Sequence, residues 1–321
     1  MLEVNKKFIE SAAEKGMRAI VGETALLLAG QDPHLILMYA DIGCRIGANK
    51  LFQSHPEKCV QCGIAEQNMV GVAAAMANEG FHVFATTYAP FITARVLDQI
   101  RVNMGIMKSP VTLIGVSAGS FMSDLGPALT AFEDIAHIRP IPNIAIVSPA
   151  DCLEAVKAII ALSKYDKPAY LRLTSGFPNQ TVYKNDYTFE IGKAITLKEG
   201  RQTVIFAAGT IICQCLEAAE ILEQKGISCA VVNMHTIKPL DTDIIDRFLD
   251  CNTIFTVEEH SIIGGLGGAI AEYITEKSLR PILKRIGTPD YFFNADSFAV
   301  SLERANLTAQ GIAKQILSAL N

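Results

Sequence analysis

The sequence predicts an α/β protein of two successive three-layer domains, the first larger than the second, each built on a mostly parallel sheet. Three observations carry this. Short apolar runs alternate with helical stretches along the chain, the pattern of parallel strands joined by helical crossovers. The alternation is interrupted once, from Ser175 to Asp186, where Gly, Pro, Asn and Lys occur without apolar periodicity. The 321 residues, 50% of them hydrophobic, suit two domains of roughly 150 residues with a core each. The first domain is expected over residues 1–175, a linker over 176–188 and the second domain over 189–321.

Residues 3–29 read as a helix that tolerates Gly22. Leu35 to Asp41 is an apolar run ending in an acid, as a buried parallel strand looks. The loop from Ile42 to His55 holds Gly43, Arg45, Gly47 and Lys50. An extended segment, Lys58 to Cys62, then gives way to a helix opening near Glu66. After Val70 that helix is almost entirely small or apolar, which predicts burial on most of its sides. Strand Phe81–Tyr88, helix Phe91–Met107 and strand Val111–Val116 follow, then a glycine-rich loop from Ser117 to Pro127. Helix Ala131–Arg139 and strand Asn143–Val147 precede helix Cys152–Ser163, for which Asp151 is a suitable cap. Strand Ala169–Thr174 closes the first series.

The second series opens with strand Thr203–Ala208, helix Ile211–Lys225 and strand Ser228–Asn233. Helix Asp241–Leu249, strand Thr253–Val257 and helix Gly264–Lys277 come next. Strand Leu283–Ile286 and helix Thr308–Leu320 end it.

Composition removes several classes of function. A net charge of −5 leaves no basic face for nucleic acid. No apolar run reaches the ~20 residues of a membrane-spanning helix. Eight cysteines without a signal-peptide pattern point to reduced thiols and a cytoplasmic protein. Cys59-x-x-Cys62 has no second pair at zinc-binding spacing, and both thiols read as structural, as do Cys213 and Cys215. No metal site is expected on this chain. The adjacent acids Glu258 and Glu259 read as a solvated turn. The glycine-rich turn from Gly264 to Gly268 lacks the spacing of a dinucleotide loop.

Ligands of parallel sheets gather beyond the carboxyl ends of the strands. Asp41, Glu66, Tyr88 and Ser117 all fall at or just past such an end. Glu66 on its own could be an ordinary first-turn acid facing the helix dipole. Its company at the strand ends favours the other reading, a buried acid held for chemistry.

The run Gly63-Ile64-Ala65-Glu66-Gln67-Asn68-Met69 resembles the pyrimidine-binding domain of transketolases and deoxyxylulose-phosphate synthases, which use thiamine diphosphate. The resemblance continues through Phe84-Ala85-Thr86-Thr87-Tyr88-Ala89-Pro90-Phe91, Asp98-Gln99-Ile100-Arg101, Glu133-Asp134-Ile135-Ala136, Pro142-Asn143 and Ser148-Pro149-Ala150-Asp151. Val232 to Leu240, Val257-Glu258-Glu259-His260 and Gly264 to Gly268 look like the transketolase carboxy-terminal domain. It thus implies a thiamine-diphosphate pyrimidine-binding domain followed by a smaller transketolase carboxy-terminal α/β domain.

By this resemblance Glu66 is the carboxyl that hydrogen-bonds a ring nitrogen of the cofactor's aminopyrimidine, a task suited to a low-dielectric setting. Asp41, Ile64, Tyr88 and Phe91 match positions around the cofactor, while a third family aromatic is Ala94 here. Arg18 and Arg172 match arginines that hold the substrate's sugar phosphate, for which a guanidinium fork is well shaped. Arg45 stands where the family often has Ser. Two family histidines that contact substrate are replaced by Ser117 and Leu129, and a hydroxyl-sensing Asp by Leu125, with neighbouring Asp124 as the substitute after a small loop shift. These exchanges imply a non-standard donor sugar.

Full-length transketolases also carry an amino-terminal domain whose Gly-Asp-Gly motif binds Mg2+ and the diphosphate; no Gly-Asp-Gly occurs in this sequence. The resemblance therefore implies the carboxy-terminal subunit of a split transketolase. It would share thiamine diphosphate with a separate amino-terminal partner that carries the Mg2+, in a heterotetramer of two pairs. Its substrates would be sugar phosphates or sugar-acid analogues. A pyruvate-decarboxylating synthase and a non-catalytic assembly or regulatory paralogue are the alternative readings.

Overall fold

The computed structural model describes residue 14 and residues 16–175, 181–183 and 187–320. The expected helix before residue 14 and linker residues 176–180 and 184–186 lie outside the described residues. The first sheet contains β1 (Leu35–Tyr39), β2 (Cys59–Gln61), β3 (His82–Tyr88), β4 (Thr112–Ala118), β5 (Ala145–Val147) and β6 (Ala169–Thr174). All six are parallel, and β1, β4 and β6 are buried along their whole length. Their near-continuous apolar runs have this cause, because helices cover both faces. Alternate side chains of β1 divide between two cores. Leu35, Leu37 and Tyr39 pack with Ile20, Leu28 and Ile159, whereas Ile36 and Met38 face Met69, Ala73 and Ala77.

The second sheet contains β7 (Ile195–Lys198), β8 (Thr203–Ala208), β9 (Cys229–Asn233), β11 (Thr253–Ser261) and β12 (Ile282–Thr288), in the order β12-β11-β8-β9-β7. Only β7 runs antiparallel to its neighbour. The remaining strand, β10 (Thr236–Lys238), leaves this domain and pairs antiparallel with β5, making the first sheet seven-stranded in the order β10-β5-β6-β4-β3-β1-β2. The Lys238 ammonium donates to the carbonyls of Arg139 and Ile141 and fixes that edge. The hydrophobic core follows the same path: Ile135, Ile138 and Tyr170 belong to one cluster with Phe206, Met234 and Ile237.

Three expectations need correction. The helix expected over 91–107 is broken into Ala89–Thr93, Leu97–Gln99 and a π-helical stretch, Ile100–Ile106. The helix Glu66–Asn78 buries one face, through Glu66, Met69, Val70, Ala73, Ala74 and Ala77. Gln67, Asn68, Val72 and Ala75 on its other side face outward, since this chain packs only one side of it against the sheet. Glu258 and Glu259 are not solvated but buried where the two domains meet.

That seam is a polar network. Arg172 on β6, 1% exposed, donates through Nε to Asp134 at 2.8 Å and through Nη2 to the carbonyls of Ala131 and Glu259 at 3.3 and 2.9 Å. The Tyr170 hydroxyl donates to the same Asp134 oxygen at 2.7 Å. Glu259 accepts from the backbone N–H and hydroxyl of Ser120, both at 2.7 Å. Gly119, at φ +72°, lies so close that any Cβ there would run into the Glu259 carboxylate. Glu258 accepts from the Leu266 and Gly267 amides that open the helix Leu266–Thr275. The glycine turn thus presents its free N–H groups to an internal carboxylate, and a Cβ on Gly265 would collide with it. Burial pushes Glu258 up to about 7 and His260 down to about 4. In the neutral ring His260 Nδ1 donates to the Ser261 carbonyl at 2.8 Å and Nε2 accepts from the Ala136 amide at 3.4 Å.

Arg172, matched above to a substrate phosphate, does not serve one here. Its buried position and internal acceptors give it a structural task instead. Breaking one member of a buried ion pair strands the other charge, so Arg172→Met should lower the unfolding free energy by about 3–5 kcal/mol in denaturant titrations. Adding Asp134→Asn should return part of that loss.

His235, just before β10, is also buried, with its ring 4.4 Å from Phe189 and Nδ1 3.0 Å from the Thr236 hydroxyl. Burial lowers it from 6.5 to about 4. The unfolded chain therefore takes up a proton near pH 6.5 that the folded chain refuses until about pH 4, and stability falls as pH drops through that window. His235→Gln should flatten the decline in Tm between these two pH values, and the wild-type imidazole should titrate near 4 by NMR.

Candidate active site

The winding of the first sheet reverses at β1, next to its edge: the chain passes from β1 to β2 on one side and then returns to β3 on the other. Such a reversal of winding opens a crevice beyond the strand ends. The chain leaves β1 past Asp41 at φ +54°, and β4 kinks at Ser117, φ +57°, one residue before it ends. Non-glycine residues seldom adopt this left-handed conformation, and they do so where the surroundings over-determine it. Gln61, the last residue of β2, ties the crevice rim together. Its side-chain oxygen accepts from the amides of Asp41 at 3.0 Å and Gly63 at 3.2 Å.

Glu66 is the first residue of the helix that follows β2 and is 3% exposed. Beside it, Ile64 is 75% exposed on the lip of the crevice. Tyr88 ends β3, and Phe91 sits one helical turn later, with the rings edge to face at 6.2 Å. Arg95 then closes a small cluster: its Nη1 donates to Glu66 Oε1 at 2.9 Å, and its guanidinium carbon lies 4.0 Å from the Phe91 ring centre. Gln67 donates to the Arg95 carbonyl at 3.2 Å, which ties the helix Glu66–Asn78 to the turn after Ala89–Thr93.

Arg18 approaches from a separate segment. Its guanidinium lies 4.9 Å from the Phe121 ring, and Nη1 donates to Met122 Sδ at 3.9 Å. Burial is the largest influence lowering its pKa, with Tyr88 and Arg45 also within electrostatic reach. The crevice thus brings Glu66, Tyr88, Phe91 and Arg95 together, with Arg18 within electrostatic reach of Tyr88. Asp41 and Arg45 are exposed at the same end of the sheet, and Leu129 is half-buried in the loop after β4.

Two expected substrate residues stand apart. Arg172 belongs to the domain seam. Ser117 is fully buried, and its hydroxyl has no hydrogen-bond partner among the described residues. A side chain enclosed in this way does not reach substrate, so its assignment is corrected too. Arg95 is a site residue that the sequence motifs do not mark. Its spacing of four residues from Phe91, which places two side chains on one face of a helical segment, is the readable signal. The packing of Phe121 and Met122 against Arg18 spans 104 residues of sequence and leaves no local trace.

An aminopyrimidine asks a protein for a carboxyl group opposite a ring nitrogen and for an apolar aromatic wall. Glu66 supplies the first, and Tyr88 with Phe91 the second, so these residues fit the ring. No cluster of metal-ligating side chains occurs among the described residues, and no helix there is long and apolar enough to cross a membrane.

Comparison with known proteins shows the family. Residues 13–177 match the family model of the transketolase pyrimidine-binding domain, and residues 192–312 that of the transketolase C-terminal domain. A subunit of the apulose-4-phosphate transketolase of Phocaeicola vulgatus is 35% identical over 269 residues, 84% of this chain and 86% of that protein. The 6-deoxy-6-sulfo-D-fructose transketolase subunit SqwH of Clostridium sp. (strain MSTE9) is 30% identical over 312 residues, 97% of this chain and 96% of that one. A split-gene transketolase solved as an inactive beta4 tetramer superposes with a TM-score of 0.84 at 32% identity, covering 95% of this chain and 98% of its own. The chain belongs to the transketolase family and comprises its pyrimidine-binding and carboxy-terminal domains.

Proposed function

We propose that this chain is the carboxy-terminal subunit of a two-subunit transketolase that moves a two-carbon ketol unit from a ketose to an aldose. The observation that carries this reading is Glu66, a buried carboxylate at a helix start, next to an aromatic pair in the crevice where the sheet reverses its winding. When bound, thiamine diphosphate supplies the nucleophilic carbon of the reaction. Glu66 holds a proton between its carboxyl and a pyrimidine nitrogen, and Tyr88 and Phe91 orient the ring. Asp41 and Ile64 border the same ring at the crevice rim.

The partner is an amino-terminal transketolase subunit, which grips the diphosphate through Mg2+. The relatives described as transketolase subunits support this division of labour. So does the outward side of the helix Glu66–Asn78 and its neighbour, where Ile64, Val72, Val102, Ile106 and Met107 are exposed apolar groups suited to a protein contact. Two such pairs form a heterotetramer, and the inter-domain linker lies at 176–188. The eight free cysteines suit a reducing cytoplasm.

The donor is an anionic sugar of non-standard form. Arg18, with Arg45 near it, suits a phosphate or sulfonate. Leu129 places apolar surface where the family carries a histidine. The activities of the two relatives, on apulose 4-phosphate and on 6-deoxy-6-sulfo-D-fructose, are of this kind.

Co-production with the amino-terminal partner, followed by ketol-transfer assays over a panel of ketose donors, tests the proposal. Glu66→Gln should reduce turnover of the complex by about 10²–10⁴-fold while gel filtration shows intact assembly; an unchanged rate would leave Glu66 as an ordinary first-turn acid. Arg18→Ala should raise KM for a phosphorylated or sulfonated donor by about 10–100-fold, the loss of one charge-assisted contact, and barely alter that of an uncharged ketose.

A further inference from the structure

The Arg95 side chain makes the two contacts that an aminopyrimidine would make in this crevice. Its guanidinium is flat, lies against the face of Phe91 at 4.0 Å, and donates an N–H to Glu66 at 2.9 Å. A pyrimidine stacked on the same ring and bonded to the same carboxyl needs the same place. The exposures show which partner has room to move: the Glu66 side chain is 4% exposed, whereas that of Arg95 is 43% exposed. Arg95 therefore approaches Glu66 from the open side, on a stem of flexible methylenes. Among the described residues Glu66 and Phe91 are what hold its guanidinium; Gln67 bonds only its backbone carbonyl.

We propose that Arg95 is a competing internal ligand of the Glu66–Phe91 site, so that cofactor binding and opening of the Arg95–Glu66 pair are a single event. This rests on Glu66 being the pyrimidine-binding carboxyl. The pair keeps Glu66 from standing as an unpaired buried charge, the costly alternative in a crevice of low dielectric. It also sets a threshold: the ring must offer Glu66 more than the guanidinium does. Cofactor affinity is thus reduced by the fraction of molecules in which Arg95 is withdrawn. Affinity for thiamine diphosphate is then set partly by a residue that is absent from the final contact.

Calorimetric titration of thiamine diphosphate into the assembled complex of this chain with its partner subunit tests this. Arg95→Met keeps an apolar stem on Phe91 and removes the competing donors; Arg95→Gln removes the charge and keeps the stem polar. Both should bind the cofactor more tightly, by about tenfold where the withdrawn form makes up roughly a tenth of the wild type. Unchanged or weaker binding in both variants, with melting curves like the wild type, overturns the competition and in the weaker case makes Arg95 a residue that positions Glu66. Glu66→Gln, titrated alongside, separates this from failure of the underlying reading. If it binds cofactor and turns over like the wild type, Glu66 is not the pyrimidine carboxyl at all.

Discussion

The Arg172–Asp134 pair is the constraint on which the rest of the molecule depends. One guanidinium reaches from β6 of the first sheet to the helix Asp134–Ile138, to the loop before it and to the backbone of β11 in the second domain. Tyr170 and His260 complete its surroundings. A charge pair so deeply buried stabilises little by itself, because desolvation cancels most of the attraction. Its effect is on position. A slip of any one of the three segments would break a hydrogen bond that Arg172 makes. The loop after β4, which borders the crevice, is thereby fixed to a domain that contributes no residue to the Glu66 cluster.

The chain distributes its charged groups by task. Carboxylates inside the seam meet either Arg172 or backbone amides: Glu258 meets the helix at Leu266 and Glu259 meets Ser120. In the crevice the arrangement is looser. Glu66 has one half-exposed cation, and Arg18 has an aromatic face and a thioether but no carboxylate partner among the described residues. Groups whose hydrogen bonds are all internal hold structure, and groups left with spare capacity are the ones available to a ligand. By that criterion Arg172 and Arg18, which look equivalent in the sequence, belong to different halves of the design.

Much of this is legible in the sequence. β6 can be read to the residue because its apolar side chains are interrupted only by Arg172 before the run ends at Thr174, and Glu66 stands out because it opens a helix of small residues directly after a short extended segment. What cannot be read are relations between distant segments. β10 is only Thr236-Ile237-Lys238, too short to show a period, and its partner is about ninety residues earlier. Glu258 and Glu259 look like surface acids until Leu266, Gly267 and Ser120 are brought to them. The fork chemistry of Arg172 is evident from its residue type, and its anion proves to be internal. The open side of the helix Glu66–Asn78 is hidden for the opposite reason: small residues look alike whether they pack within a chain or wait for another.

The excursion of β10 into the first sheet bears on modularity. Most two-domain chains can be cut at the linker, recombined with relatives or rewired by permutation, because each half closes its own surface. Here a cut at the linker would strip an edge strand from the first sheet, leaving the β5 backbone as an open pairing edge of the sort that invites aggregation. It would also expose the apolar cluster shared by Tyr170 and Met234. The unit of inheritance and of engineering is the pair of domains, and chimeras in this family are best joined outside it.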